Sequence, residues 1–235
     1  MIRAHVTRAA TFARREALAV GALLGAALLA GAFLEIADNV AEGETQEIDL
    51  AILNALRVRA GPNDPIGPDW LTTAAADITA LGSIAILAFV VLVVGGLFLS
   101  LGHRRQASIL VLASLGGVAW SQTLKAVFSR TRPDEIYRIV EAHNASFPSG
   151  HSMLSAAVYL TLGALVASFA KKRRIRAFAV TTALAATVMV GFSRVFLGVH
   201  WASDVIAGWC LGGAWALACW LALWTWDRRW KRGDS

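Results

Sequence analysis

Charged side chains are scarce in this chain: Asp, Glu, Lys and Arg make up 16% of its 235 residues, where ordinary soluble domains carry about 25%. Hydrophobic residues fill 57% and the mean hydropathy is +0.57, which excludes a water-soluble globule and intrinsic disorder alike. Proline is also rare. The 5 prolines rule out a proline-rich low-complexity segment, and Pro62, Pro65, Pro68, Pro133 and Pro148 all fall between apolar runs, never within one. Only 2 cysteines are present. At about 100° per residue, Cys210 and Cys219 lie about half a turn out of phase on one helix, so a disulfide between them is excluded and both read as small packing residues.

What is there instead is a set of long apolar runs: Ala17–Leu34, Ile78–Gly102, Gln106–Leu124, Ser152–Ala170, Ala177–Phe192 and Val205–Trp226. Each approaches the length that crosses a hydrocarbon core of about 30 Å. Six such segments take up roughly half of the chain at about 20 residues each, which leaves no room for a second soluble domain. The expectation is an all-α bundle of six transmembrane helices, one domain over residues 1–235.

Basic residues orient the bundle. With the N-terminus inside, the cytoplasmic segments hold Arg3, Arg8, Arg14 and Arg15, then Arg104 and Arg105, then Lys171, Lys172, Arg173, Arg174 and Arg176, then Arg228, Arg229, Lys231 and Arg232. These are most of the 22 Lys and Arg, a positive-inside pattern that puts both termini in the cytoplasm. It also accounts for the net charge of +6 without nucleic acid. Segments 35–77, 125–151 and 193–204 then emerge on the outer face. Trp201, Trp224, Trp226 and Trp230 flank the last run as interfacial anchors.

Two stretches carry rival readings. Arg14, Arg15, the first apolar run and Ala30-Gly31-Ala32 resemble a signal peptide with a small-residue cleavage site, but the run is long for one and a retained span is expected. Ile48, Ile52 and Leu56 recur every four residues with Leu53 beside them, and Glu47, Asp49, Asn54 and Arg57 occupy the rest of the wheel. That pattern predicts an amphipathic helix on the outer surface, either capping the bundle or admitting lipid.

Ionisable residues at the ends of apolar helices are expensive, and here they concentrate in three stretches on the outer side. Lys125 to Arg132-Pro133 ends the third span, Pro148-Ser149-Gly150-His151 opens the fourth, and Ser193-Arg194 through His200 to Asp204 links the fifth to the sixth. Lys125, Arg132 and Arg194 supply the cationic cluster that a phosphate of charge about −1.5 to −2 requires. Ser149 and Gly150 add backbone N–H groups at a helix N-terminus, a second kind of anion site. His200 and Asp204 are four residues apart, so the carboxylate can fix one imidazole nitrogen and leave the other to attack. His151 remains to protonate a leaving oxygen. Arg130, Glu135, Arg138, Glu141 and His143 share the loop and match no pattern.

The motifs K-x6-R-P, P-S-G-H and S-R-x5-H-x3-D resemble the three signatures of the type 2 phosphatidic acid phosphatase (PAP2) superfamily, with eleven defining positions filled over about 80 residues. That superfamily includes bacterial undecaprenyl-pyrophosphate and phosphatidylglycerophosphate phosphatases. The resemblance implies a phosphohistidine on His200 assisted by Asp204, His151 as acid and then base, and Lys125, Arg132, Ser149, Gly150 and Arg194 on the phosphoryl oxygens. It implies no metal cofactor.

The expected function is therefore a multi-pass inner-membrane phosphatase acting at the outer leaflet on undecaprenyl pyrophosphate, phosphatidate or phosphatidylglycerophosphate. Alternatives are a lipid phosphotransferase, a lipid-binding or transport protein that keeps the cradle without the chemistry, and a zinc site built from His151, His200 and Asp204.

Overall fold

The computed structural model describes residues 2–58 and 61–233, with side chains described for residues 16–58 and 61–226. Arg3, Arg8, Arg14, Arg15, Arg228, Arg229, Trp230, Lys231 and Arg232, which carry part of the topology argument, have side chains outside the described residues. The chain is all-α: α1 (Ile2–Glu42), α2 (Gln46–Ala55), α3 (Asp69–Ala80), α4 (Ile84–Ser100), α5 (Arg104–Phe128), a short 3-10 turn at Glu135–Tyr137, α6 (Gly150–Phe169), α7 (Arg173–Phe196) and α8 (Ala202–Gly233). Among the described residues five helices are long and apolar enough to span a membrane, and the count is six if the bent pair α3 and α4 forms one span.

The second expected span is the one the structure redraws. In place of one helix from Ile78 to Gly102, α3 and α4 meet at 52° across Leu81-Gly82-Ser83. Ser83 starts a new helix by accepting from the Ile86 N–H at 3.3 Å, and this cap competes with continuation of α3. Gly82 is pressed against α7 and α6, where an added Cβ would lie 2.4 Å from Val190 and 3.1 Å from His151. The break brings the end of α3 beside the residues that open α6.

Helix α6 is the hub, packing against α5, α7 and α8, and its Met153, Ala156, Ala157 and Val158 are fully buried. Helix α8 lies directly on it, because a Cβ at Gly208 or Gly212 would come within 2.8 Å of the Ser149 carbonyl and 2.3 Å of the Met153 carbonyl. Small residues at such crossings let membrane helices approach where lipid tails provide no hydrophobic drive. The outside of the bundle is apolar: Leu28 and Leu92 are each 74% exposed, and Phe89, Leu115 and Phe178 are similarly placed. Over a whole molecule, such a surface belongs in lipid. Cys210 and Cys219 are both free thiols. Helix α1 runs unbroken through Ala30-Gly31-Ala32 to Glu42.

Helix α2 forms where the periodicity predicts it but presents a different face. Asp49 and Leu53 are buried, whereas Ile48 is 66% exposed. Lys125 near the end of α5, His151 at the start of α6, Arg194 near the end of α7 and Asp204 at the start of α8 fall at one end of the bundle; Arg104, Arg105 and residues 171–174 fall at the other.

Candidate active site

Two tight chain reversals build the site. Ser129 ends α5 in the left-handed region at φ 46°, an uncommon conformation for a residue with a Cβ, and turns Arg130 and Arg132 back over the bundle. After α7, Gly198 adopts φ +71° and its missing Cβ would sit 1.9 Å from the Tyr137 carbonyl, so only glycine fits both the turn and the space. That turn delivers His200.

His200 is held from both sides. Its Nδ1 lies 3.3 Å from Asp204 Oδ2, and Arg132 Nη1 lies 3.1 Å from its Nε2. An arginine nitrogen only donates, so Nε2 is the acceptor and the proton resides on Nδ1, facing the carboxylate. Asp204 is wholly buried. Its Oδ2 also accepts from Ser146 Oγ and from the Trp201 N–H at 3.0 Å, and its Oδ1 accepts from Arg130 Nη1 at 2.7 Å. Helix α8 begins only at Ala202, so His200 meets Asp204 from the turn before the helix and not from its face. Burial first, then the positive charges of Arg194, Arg132 and Lys125, hold the His200 imidazole well below its ordinary pKa of 6.5. It is a neutral base at physiological pH.

In front of Nε2 lies a cavity of ≈ 250 Å³ that includes Lys125, Arg132, Gly150, His151, Arg194 and His200 in its lining. Lys125 Nζ donates to the Ala145 carbonyl at 2.8 Å. Arg132 donates to the carbonyls of Val199 at 2.6 Å and Asn144 at 2.9 Å, which fixes the plane of its guanidinium. Arg194 donates to Thr79 Oγ1 at 2.9 Å, while its Nε is buried with no hydrogen-bond partner. A buried donor left unpaired costs about 1–3 kcal/mol, and the residue that carries it lines the cavity. Gly150 opens α6, so the first N–H groups of a 20-residue helix face the same space.

Ser149 stands apart from the rest of the cluster. It caps α6, accepting from Ser152 Oγ at 2.9 Å, and its N–H donates to the Asp204 carbonyl at 3.0 Å. The residue is fully buried and does not line the cavity. A larger groove of ≈ 550 Å³ among Leu18, Leu160, Val180, Leu217 and Trp220 has no ionisable lining, so the ionisable groups gather at the smaller, polar space.

Two residues that no motif marks complete the cluster. Arg130 bridges Asp204 and Asp49, the latter at 2.8 Å. The pairing spans 81 residues and three chain segments, and no periodicity announces it.

The model of the PAP2 superfamily matches residues 106–228, which hold every ionisable residue lining this cavity. The chain belongs to the PAP2 superfamily. It is 31% identical over 186 residues to a phosphatidylglycerophosphatase B from Bacillus subtilis, covering 77% of this chain and 85% of that one. An undecaprenyl-diphosphatase from Sulfolobus acidocaldarius is 29% identical over 46% of this chain and 51% of its own length. The crystal structure of a transmembrane PAP2-type phosphatidylglycerolphosphate phosphatase from Bacillus subtilis superposes with a TM-score of 0.75 and 27% identity, over 87% of this chain and 96% of that one. The PAP2 chain described here is thus a multi-pass membrane phosphatase that acts on a lipid phosphate group.

Proposed function

We propose that this phosphatase hydrolyses its lipid substrate through a phosphohistidine on His200, at the outer face of the inner membrane. The observation that carries the reading is the polarity of the His200 ring, with Nδ1 toward Asp204 and Nε2 toward the cationic cavity. As Arg132 Nη1 shifts from Nε2 to a phosphoryl oxygen, the freed Nε2 lone pair attacks in line, forming the N–P bond as the bond from phosphorus to the leaving oxygen breaks. His151, which lines the same cavity, donates a proton to that oxygen and then takes one from the water that hydrolyses the intermediate. Charge builds on the equatorial oxygens during both steps. Lys125, Arg132, Arg194 and the N–H groups at the start of α6 meet it with donors already in place. Ser149 supports this cradle by capping α6. Asp204 stabilises the positive imidazole as the phosphoryl group arrives.

Phosphatidylglycerophosphate leads as the substrate because the relatives matched over most of the chain act on it by name. Undecaprenyl pyrophosphate and phosphatidate are the comparators. The outer-face assignment rests on the basic residues at the opposite end of the bundle, and the whole chain acts as one domain.

The test is phosphate release from these three lipids by purified wild type and His200→Ala. Wild type is expected to turn over phosphatidylglycerophosphate fastest. His200→Ala is expected to be inactive while still binding inorganic phosphate, since the cations remain. Normal turnover by His200→Ala ends the proposal.

A further inference from the structure

We infer that Arg130 and Asp49 are positioning residues for the reaction at His200, acting through Asp204; the inference rests on the phosphohistidine reading above. Asp204 is fully buried, and burying a carboxylate without a partner costs several kcal/mol. A neutral His200 offers it a hydrogen bond but no charge. The three cations that line the cavity do not supply that charge through contact, since Arg132, Lys125 and Arg194 spend their hydrogen bonds on carbonyls, on His200 and on Thr79. Among the described residues the cation bonded to Asp204 is Arg130, at 2.7 Å from Oδ1. With Oδ1 tied there, Oδ2 is left for the imidazole.

Asp49 completes the arrangement. Arg130 Nη2 donates to Asp49 Oδ2 at 2.8 Å and to Thr45 Oγ1 at 3.0 Å, and Arg130 Nη1 donates to Ser203 Oγ at 2.7 Å. Asp49 in turn accepts from the Ser203 N–H at 2.9 Å and from Ser203 Oγ at 2.5 Å. Helix α2, the loop after α5 and the start of α8 therefore close on one guanidinium, which also lies 5.7 Å from the Trp201 ring. The charge balance gives each residue its part. Arg130 alone would hold Asp204 in place but cancel the negative charge that the phosphorylated imidazolium needs. Asp49 neutralises Arg130, so the pair fixes Asp204 while leaving its charge directed at His200. This also explains why the face of α2 turned inward carries a carboxylate.

The prediction concerns rate, not substrate binding. Losing a charge-assisted hydrogen bond to Asp204 should lower kcat of Arg130→Gln by about 10–100-fold with KM and inorganic-phosphate inhibition unchanged. Arg130→Lys should recover part of the loss, and added guanidinium should partly restore Arg130→Ala. Asp49→Asn should lower kcat by a smaller factor. The double variant Arg130→Gln/Asp49→Asn should be no slower than Arg130→Gln, because the charge of Asp49 reaches Asp204 through that side chain. Thermal unfolding in detergent identifies any variant that fails to fold; if Arg130→Gln is one, Asp49→Asn and Arg130→Lys are read by the same split of kcat from KM. The inference is overturned if folded variants keep kcat within twofold of wild type, if KM and phosphate inhibition shift with kcat, or if the losses multiply in the double variant. An active His200→Ala would instead remove the phosphohistidine reading. A dead His200→Ala beside unaffected Arg130 variants would remove this inference alone.

Discussion

Asp204→Asn is the substitution whose outcome the geometry constrains most tightly. Four groups point donors at the carboxylate: Ser146 Oγ, the Trp201 N–H and His200 Nδ1–H at Oδ2, and Arg130 Nη1 at Oδ1. An amide offers one oxygen and one NH2 in that space. Turning its oxygen toward the three donors aims the NH2 at Arg130, and the reverse aims it at the other three. Either way the neutral amide leaves Arg130 only Asp49 and leaves a positive imidazole at His200 without its buried counter-charge, and removing one partner of a buried pair costs about 3–5 kcal/mol. If that penalty appears when the imidazole becomes positive, it corresponds to about two to four decades in rate at about 1.4 kcal/mol per decade. Phosphate release measured over a range of substrate concentrations should therefore show kcat reduced about 10²- to 10⁴-fold with KM changed little, since Asp204 does not line the cavity. Thermal unfolding in detergent should fall in parallel. A folded Asp204→Asn with kcat within tenfold of wild type would refute the role given to the carboxylate.

Other outcomes follow from the same geometry. Because the folded chain holds His200 below its ordinary 6.5, the unfolded chain binds a proton that the folded one refuses; this share of stability is complete above pH 6.5 and is lost as the pH falls below it. Thermal unfolding of wild type should therefore weaken from pH 7.5 to 5.5 more than that of His200→Gln, and an identical pH dependence would contradict the assignment. Activity should survive exhaustive EDTA treatment and be inhibited by orthovanadate, because Lys125, Arg132 and Arg194 supply the charge that divalent ions bring to metal-dependent phosphatases. Loss of activity in EDTA that zinc restores would revive the metal reading. Single cysteines at Glu141→Cys and Lys172→Cys, in a background without Cys210 and Cys219, should differ in labelling by a membrane-impermeant reagent. Labelling of Lys172→Cys alone in cells without an outer barrier would invert the proposed topology.

The cluster around the polar cavity was legible because its residues are costly where they stand. Lys125, Arg194 and Asp204 interrupt apolar helix ends, and with His151 and His200 they occupy an ordered set of motifs, so chemistry was a better explanation than packing. Arg130 and Asp49 looked ordinary by the same test. One sits among other charges in a loop, the other on the polar side of an amphipathic wheel, and only the tertiary fold reveals that they share a guanidinium contact across 81 residues. The break in the second span left a faint signal in Leu81-Gly82-Ser83, a glycine followed by a capping residue within an apolar run. Periodicity did not expose it because α4 is apolar on every side. Ser149 carried a phosphate-binding expectation from the motif, and in the fold it caps α6 and ties it to α8. The motif marks a position that matters without stating which of its atoms face the ligand.

Phosphorylation of His200 Nε2 is tested by rapid quenching of wild type with phosphorus-labelled lipid substrate, followed by localisation of the label in the chain. Acid-labile, base-stable phosphate on His200, absent from His200→Ala and accumulating more slowly in Asp204→Asn, is the predicted result. Label on any other residue, or turnover by wild type with no covalent phosphate during the first cycle at any quench time, would contradict it.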